Sequence, residues 1–132
     1  MHKPRPVRRG DRIAIVAPAS QCPREEFDRG VNELRRLGFD AVFADSVFDR
    51  GTFTAGSART RAAAFVDAWN DPAVAALIAV RGGYGSVELL PLLDAATLGR
   101  PKLFVGYSDN TSLLSWLTVQ RHQIAVDVHT TQ

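Results

Sequence analysis

Short apolar, β-branched runs alternate with segments of helical periodicity from one end of this chain to the other, and that alternation constrains the fold more than any single motif. The run Arg12–Ala17, ended by Pro18, reads as a buried strand. Pro23 opens a segment in which Phe27, Val31, Leu34 and Leu37 share one helical face, and Gly38 stops it. Residues 39–44 predict a second strand and 45–56 a loop with little periodicity. Ser57 then caps a helix carrying Ala62, Phe65, Val66 and Trp69 on one face, which ends at Asn70-Asp71-Pro72. A third strand is expected over 76–80, a short helix over 87–93 in which Pro91 either sits in the first turn or breaks it, and a fourth strand over 103–105. A helix from Asp109 to about Arg121 and a fifth strand over 124–128 complete the pattern.

Strands alternating with helices imply a mostly parallel sheet covered on both faces and joined by right-handed crossovers. The expected fold is a doubly wound α/β domain of about five strands, flavodoxin- or Rossmann-like. At 132 residues the chain suits one domain with a real core, read as a basic flexible leader over 1–11 and a single α/β domain over 12–132. Ligands of such sheets bind outside the carboxyl ends of the strands, where the segments 17–23, 81–86 and 106–109 emerge.

Charge narrows the function classes. Sixteen Lys and Arg stand against fourteen acids, and the formal net charge of +2 does not point to nucleic acid. No apolar run is long enough to cross a bilayer. A single cysteine, Cys22, excludes an intrachain disulfide and suits a reducing cytoplasm, with the thiol itself read as a bystander. His2, His122 and His129 have no metal-ligand spacing, so no metal site is expected.

Two turns at the expected site carry chemistry. Arg81-Gly82-Gly83-Tyr84-Gly85-Ser86 lacks the Gly-Lys-Ser/Thr ending of a phosphate-binding loop, and Glu88 stands where a dinucleotide fingerprint needs glycine. It reads either as a tight strand-to-helix turn or as a loop presenting a glycine N–H to an oxyanion. Gly106-Tyr107-Ser108-Asp109-Asn110 resembles a nucleophile elbow with Asn110 in place of the last glycine. Its residues admit two readings: Ser108 or Asp109 as a helix cap worth about 1 kcal/mol, or Ser108 as an exposed nucleophile beside the free N–H groups of a helix start.

The segments GDRIAIVAPAS, RGGYGSVELLPLLD and KLFVGYSDNTSLLSWL, in that order, resemble the LD-carboxypeptidase family of serine peptidases. That family includes murein tetrapeptide carboxypeptidases and microcin-immunity peptidases, and the resemblance runs from about Gly10 to about His129. It implies Ser108 as nucleophile, the Asp109 N–H as one oxyanion donor, and the Gly83 N–H as the second with Gly82 as the alternative. It also implies a pocket lined by Arg81, Tyr84 and Tyr107 for a peptide or muropeptide substrate, with the guanidinium pairing a substrate carboxylate. No metal or organic cofactor is implied. Family members carry a carboxyl-terminal domain that supplies the Glu and His of a Ser-Glu-His triad, and these 132 residues stop before it. The partner of this domain is therefore that missing domain, and the chain alone is expected to have little activity; His129 as a substitute base is the lesser reading. The alternatives are a non-catalytic α/β domain that binds a ligand or self-associates as a homodimer, and a flavodoxin-like phosphate or nucleotide binder.

Overall fold

The computed structural model describes residues 2–123 and 126–127. Five parallel strands, β1 (Arg12–Val16), β2 (Asp40–Val42), β3 (Val74–Ala79), β4 (Leu103–Gly106) and β5 (Val126–Asp127), form one sheet in the order β2-β1-β3-β4-β5. Three α-helices connect them: α1 (Arg24–Arg36), α2 (Ala58–Asn70) and α3 (Thr111–Arg121). This is the doubly wound fold that strand-helix alternation predicts.

Side chains of the central strands point alternately to two cores, as the pleat requires. Ala14, Val16, Leu77 and Ala79 face α2 and α3 together with Phe65, Trp69, Phe104, Leu113 and Leu117. Ile15 and Ala17 face α1 through Phe27 and Val31. Phe65 lies edge-on to Phe104 at 5.4 Å, and the buried Trp69 indole donates to the Arg100 carbonyl at 3.1 Å. The aromatic core is thus anchored by one satisfied polar group.

Local differences from the expected elements have simple causes. Ser57 does cap α2, accepting from the Thr60 N–H at 3.1 Å. β2 is only three residues long because the chain turns at Ala44 into a 3-10 turn, Asp45–Phe48, inside what the sequence marks as a loop. There Phe48 and Phe43 each meet Phe27 edge-on at 4.8 Å. The segment expected as a short helix is a 3-10 helix, Ser86–Leu92, containing Pro91, whose missing N–H suits a short, irregular coil better than an α-helix. α3 begins at Thr111 rather than Asp109 because Ser108–Asn110 form their own 3-10 turn. In the basic segment, His2 bridges Gln123 and the Arg8 N–H donates to the Asp11 carboxylate at 2.8 Å.

Candidate active site

β1, β3 and β4 end side by side, and each is followed by a turn that contributes to one site. Gly106 closes β4, and Ser108 follows with φ +55°, a left-handed conformation uncommon for a residue with a side chain. Ser108 is exposed, and among the described residues its hydroxyl has no hydrogen-bond partner. The helix-cap reading therefore fails: Tyr107 and Asn110 occupy the cap positions of the 3-10 turn and of α3, and neither helix has a side-chain cap. A strained, exposed serine immediately ahead of a helix is the geometry of a nucleophile elbow.

The glycine loop lies against this turn. A Cβ placed on Gly82 would come within 2.8 Å of Ser108 Cβ and 3.2 Å of the Asp109 nitrogen, so only glycine permits the approach. Three bonds lock the two turns together. Asn110, fully buried, donates through Nδ2 to the Arg81 carbonyl at 3.0 Å. At the other end of the loop the Ser86 N–H donates to Asp109 Oδ2 at 2.8 Å, and Ser86 Oγ donates to the Asp109 carbonyl at 2.5 Å.

A third contributor, Ser20, follows β1. Its N–H donates to the Gly82 carbonyl at 3.3 Å, while its Oγ accepts from the Tyr84 N–H at 3.0 Å and donates to the Phe53 carbonyl at 2.7 Å. Gly83 packs on it so closely, at φ +107°, that a Cβ there would lie 2.1 Å from Ser20 Oγ. Two of the loop's amides, those of Tyr84 and Ser86, are thus taken by protein acceptors, and the Asp109 carboxylate already fills the anion position at Ser86. That disfavours a phosphate cradle, since an incoming phosphate would meet a resident negative charge.

The remaining expected residues ring the site loosely. Arg81 is exposed and makes one long contact, 3.5 Å, to the Gln21 carbonyl. Tyr84 is 68% exposed with its ring edge-on to the equally exposed Phe53, at 6.1 Å. Tyr107 is half-buried, and its carbonyl accepts from the Asn110 N–H and Nδ2. Burial, reinforced by nearby Glu26, raises the Cys22 thiol pKa, which lowers its reactivity. His2 and His122 lie where α3 ends, at the opposite edge of the sheet, and His129 falls outside the described residues. Among the described residues there is no cluster fit to hold a metal ion, and no helix is long and apolar enough to cross a membrane.

Sequence reasoning passed over Ser20, Ser86, Asn110, Arg61 and Phe53. Arg61 had a legible signal: it stands one and two helical turns before Phe65 and Trp69, so a charge lies on the buried stripe of α2. Ser20, in the segment after β1, lies at the edge where the site was expected. The roles of Ser86 and Asn110 depend on how the two turns approach each other, which no local pattern encodes.

A parallel α/β sheet with a serine elbow facing a glycine loop defines the class of the domain. The chain belongs to the LD-carboxypeptidase family, matching that family's N-terminal domain over residues 13–127. It is 43% identical over 109 residues to a putative carboxypeptidase of Streptomyces coelicolor, covering 79% of this chain and 35% of that protein. To the murein tetrapeptide carboxypeptidase of Pseudomonas aeruginosa it is 33% identical over 106 residues, or 79% of this chain and 34% of that one. The fold superimposes on the crystal structure of an MccF-like protein from Bacillus anthracis with a TM-score of 0.91 at 28% identity, covering 96% of this chain and 40% of the other. The chain therefore spans little more than a third of the length of these relatives.

Proposed function

We propose that this domain carries the nucleophile and the oxyanion pocket of a peptidase that removes a carboxy-terminal residue from murein-type peptides, through an acyl-serine intermediate. The carrying observation is the elbow itself: Ser108, exposed at φ +55° with Gly82 packed against its Cβ. Ser108 Oγ attacks the carbonyl before the terminal residue, and the carbonyl oxygen gains negative charge that two N–H donors stabilise.

Peptide geometry favours Gly83 over Gly82 as the donor that joins Asp109. A trans peptide points its C=O and the following N–H in opposite directions. The Gly82 carbonyl is held by the Ser20 N–H, which turns the Gly83 N–H away from Ser20. The Arg81 carbonyl is held by Asn110 in the serine turn, which turns the Gly82 N–H away from that turn. Neither the Gly83 nor the Asp109 N–H has a protein acceptor among the described residues.

The attacking hydroxyl also needs a base. No described side chain accepts a hydrogen bond from Ser108, so the base is assigned to a partner domain of the kind the longer relatives have room for, supplying a glutamate and a histidine. Arg81, at the rim, is the group placed to meet the carboxylate of the terminal residue, and Tyr84 and Tyr107 border the same opening. The test is release of the carboxy-terminal residue from a murein tetrapeptide, read by mass spectrometry, for the chain alone and for the chain joined to the remaining residues of the Pseudomonas relative. Release from the joined form that disappears in Ser108→Ala supports the reading; release that survives Ser108→Ala overturns it.

A further inference from the structure

Arg61 is the one fully buried arginine among the described residues, 3% exposed, and it bonds two of the three turns that form the site, the one after β1 and the glycine loop. Its Nε donates to the Gly56 carbonyl at 3.2 Å, and one terminal nitrogen donates to the Pro18 carbonyl at 2.7 Å and the Gly85 carbonyl at 2.8 Å. The other terminal nitrogen meets the Glu88 carboxylate at 2.6 Å. Four of the five guanidinium donors are thus spent on the turn after β1, the loop before α2, the glycine loop and the 3-10 helix behind it. Gly85, at φ +96°, rests on the guanidinium so closely that a Cβ would lie 3.2 Å from it.

We infer that Arg61 is a positioning residue for oxyanion stabilisation. It fixes the Gly85 end of the glycine loop and, through Pro18, the turn that carries Ser20, and these two together set the direction of the Gly83 N–H. It touches no substrate. A lysine could keep the charge but, as a single point donor on a flexible stem, could not hold three carbonyls in a planar fork. This inference rests on the oxyanion reading of Gly83 and Asp109 proposed above.

The test uses the full chain with Cys22→Ser and Ser108→Cys, because a thiolate attacks without needing the partner domain's base. Two reactions are timed at residue 108. With p-nitrophenyl acetate, the thiolate attacks the carbonyl, a C–S bond forms, and p-nitrophenolate leaves after a tetrahedral oxyanion. With iodoacetamide, the thiolate displaces iodide and no oxyanion forms. The ratio of the two rates therefore isolates the donors from thiolate ionisation and access. Arg61→Lys is expected to lower the ratio about tenfold or more, as misplacement of a reacting group by an ångström costs up to about 100-fold. Glu88→Gln, altering a half-exposed partner and keeping the fold, is expected to lower it by a smaller factor. Arg121→Lys, a change at an arginine that bonds the Ala95 and Gly99 carbonyls away from the site, is expected to lower the melting temperature and leave the ratio alone. A ratio unchanged in both Arg61→Lys and Glu88→Gln, against a parent whose ratio exceeds that of N-acetylcysteine, overturns the positioning role and leaves the oxyanion reading standing. A parent ratio equal to that of N-acetylcysteine overturns the reading on which the inference rests.

Discussion

Ser86 and Asp109 hold each other twice, main chain to side chain at 2.8 Å and side chain to main chain at 2.5 Å, and this reciprocal pair fastens the glycine loop to the serine elbow. Asp109 thus combines two tasks: its carboxylate is a structural acceptor, while its own N–H stays open beside Ser108. The pair explains how a glycine-rich loop can be held in one conformation at an otherwise exposed sheet edge.

Removing either partner should loosen that edge. Ser86 is fully buried, so Ser86→Ala leaves the Asp109 carbonyl without its donor, and Asp109→Ala strands the Ser86 N–H. Each is expected to cost about 1–3 kcal/mol in urea denaturation, the penalty of an unpaired buried polar group. The double variant should cost less than the sum, since both changes break the same contact.

The two adjacent glycines should respond differently to alanine. Gly83→Ala meets both a positive φ and Ser20 Oγ at 2.1 Å, and is expected to lose more than about 2 kcal/mol of stability. At Gly82 the added Cβ meets the Ser108 Cβ at 2.8 Å without a positive φ. Gly82→Ala should therefore be the milder change in thermal denaturation while still displacing Ser108, visible as altered amide shifts at Ser108 and Asp109 in NMR spectra.

Much of this was legible in the sequence, and the remainder has a physical reason for being hidden. β1, α1, α2 and the two turns follow from period, caps and glycines, so the edge where the site lies could be named from order alone. The cap reading of Ser108 failed because its backbone is left-handed and lies against Gly82 of the turn after the neighbouring strand, a contact distant in sequence that no local pattern encodes. Arg61 was hidden differently: a charge on a buried stripe is visible, but its acceptors come from three separate segments that only the fold brings together.

Acid should release the basic amino-terminal segment before the core. The Arg8 N–H, and then the Arg5 guanidinium, hold the Asp11 carboxyl below its usual pKa. A carboxyl lowered in the folded state contributes stability that is present above the unfolded value, about pH 4, and is lost as pH falls through the lower folded value. Hydrogen exchange at the Arg8 amide should accordingly lose protection in that window, relative to the chemical exchange rate, while the amides of β1 and β3 keep theirs. Asp11→Asn should remove the pH dependence at Arg8.

Phe104 is fully buried, lies edge-on to Phe65, and its ring tip would sit 3.4 Å from a Cβ on Gly106. Phe104→Ala is expected to cost about 3–5 kcal/mol in denaturant titration. Phe104→Leu should recover much of that.

The claim at the centre of this account is that Ser108 stands before two N–H groups arranged for an oxyanion. The thiol-exchanged chain, Ser108→Cys with Cys22→Ser, measures it most directly, through the rate of acylation by p-nitrophenyl acetate divided by the rate of alkylation by iodoacetamide. The ratio expected at residue 108 is about 100-fold above that of N-acetylcysteine, the scale of a single oxyanion donor. A ratio equal to that of the small thiol would contradict it.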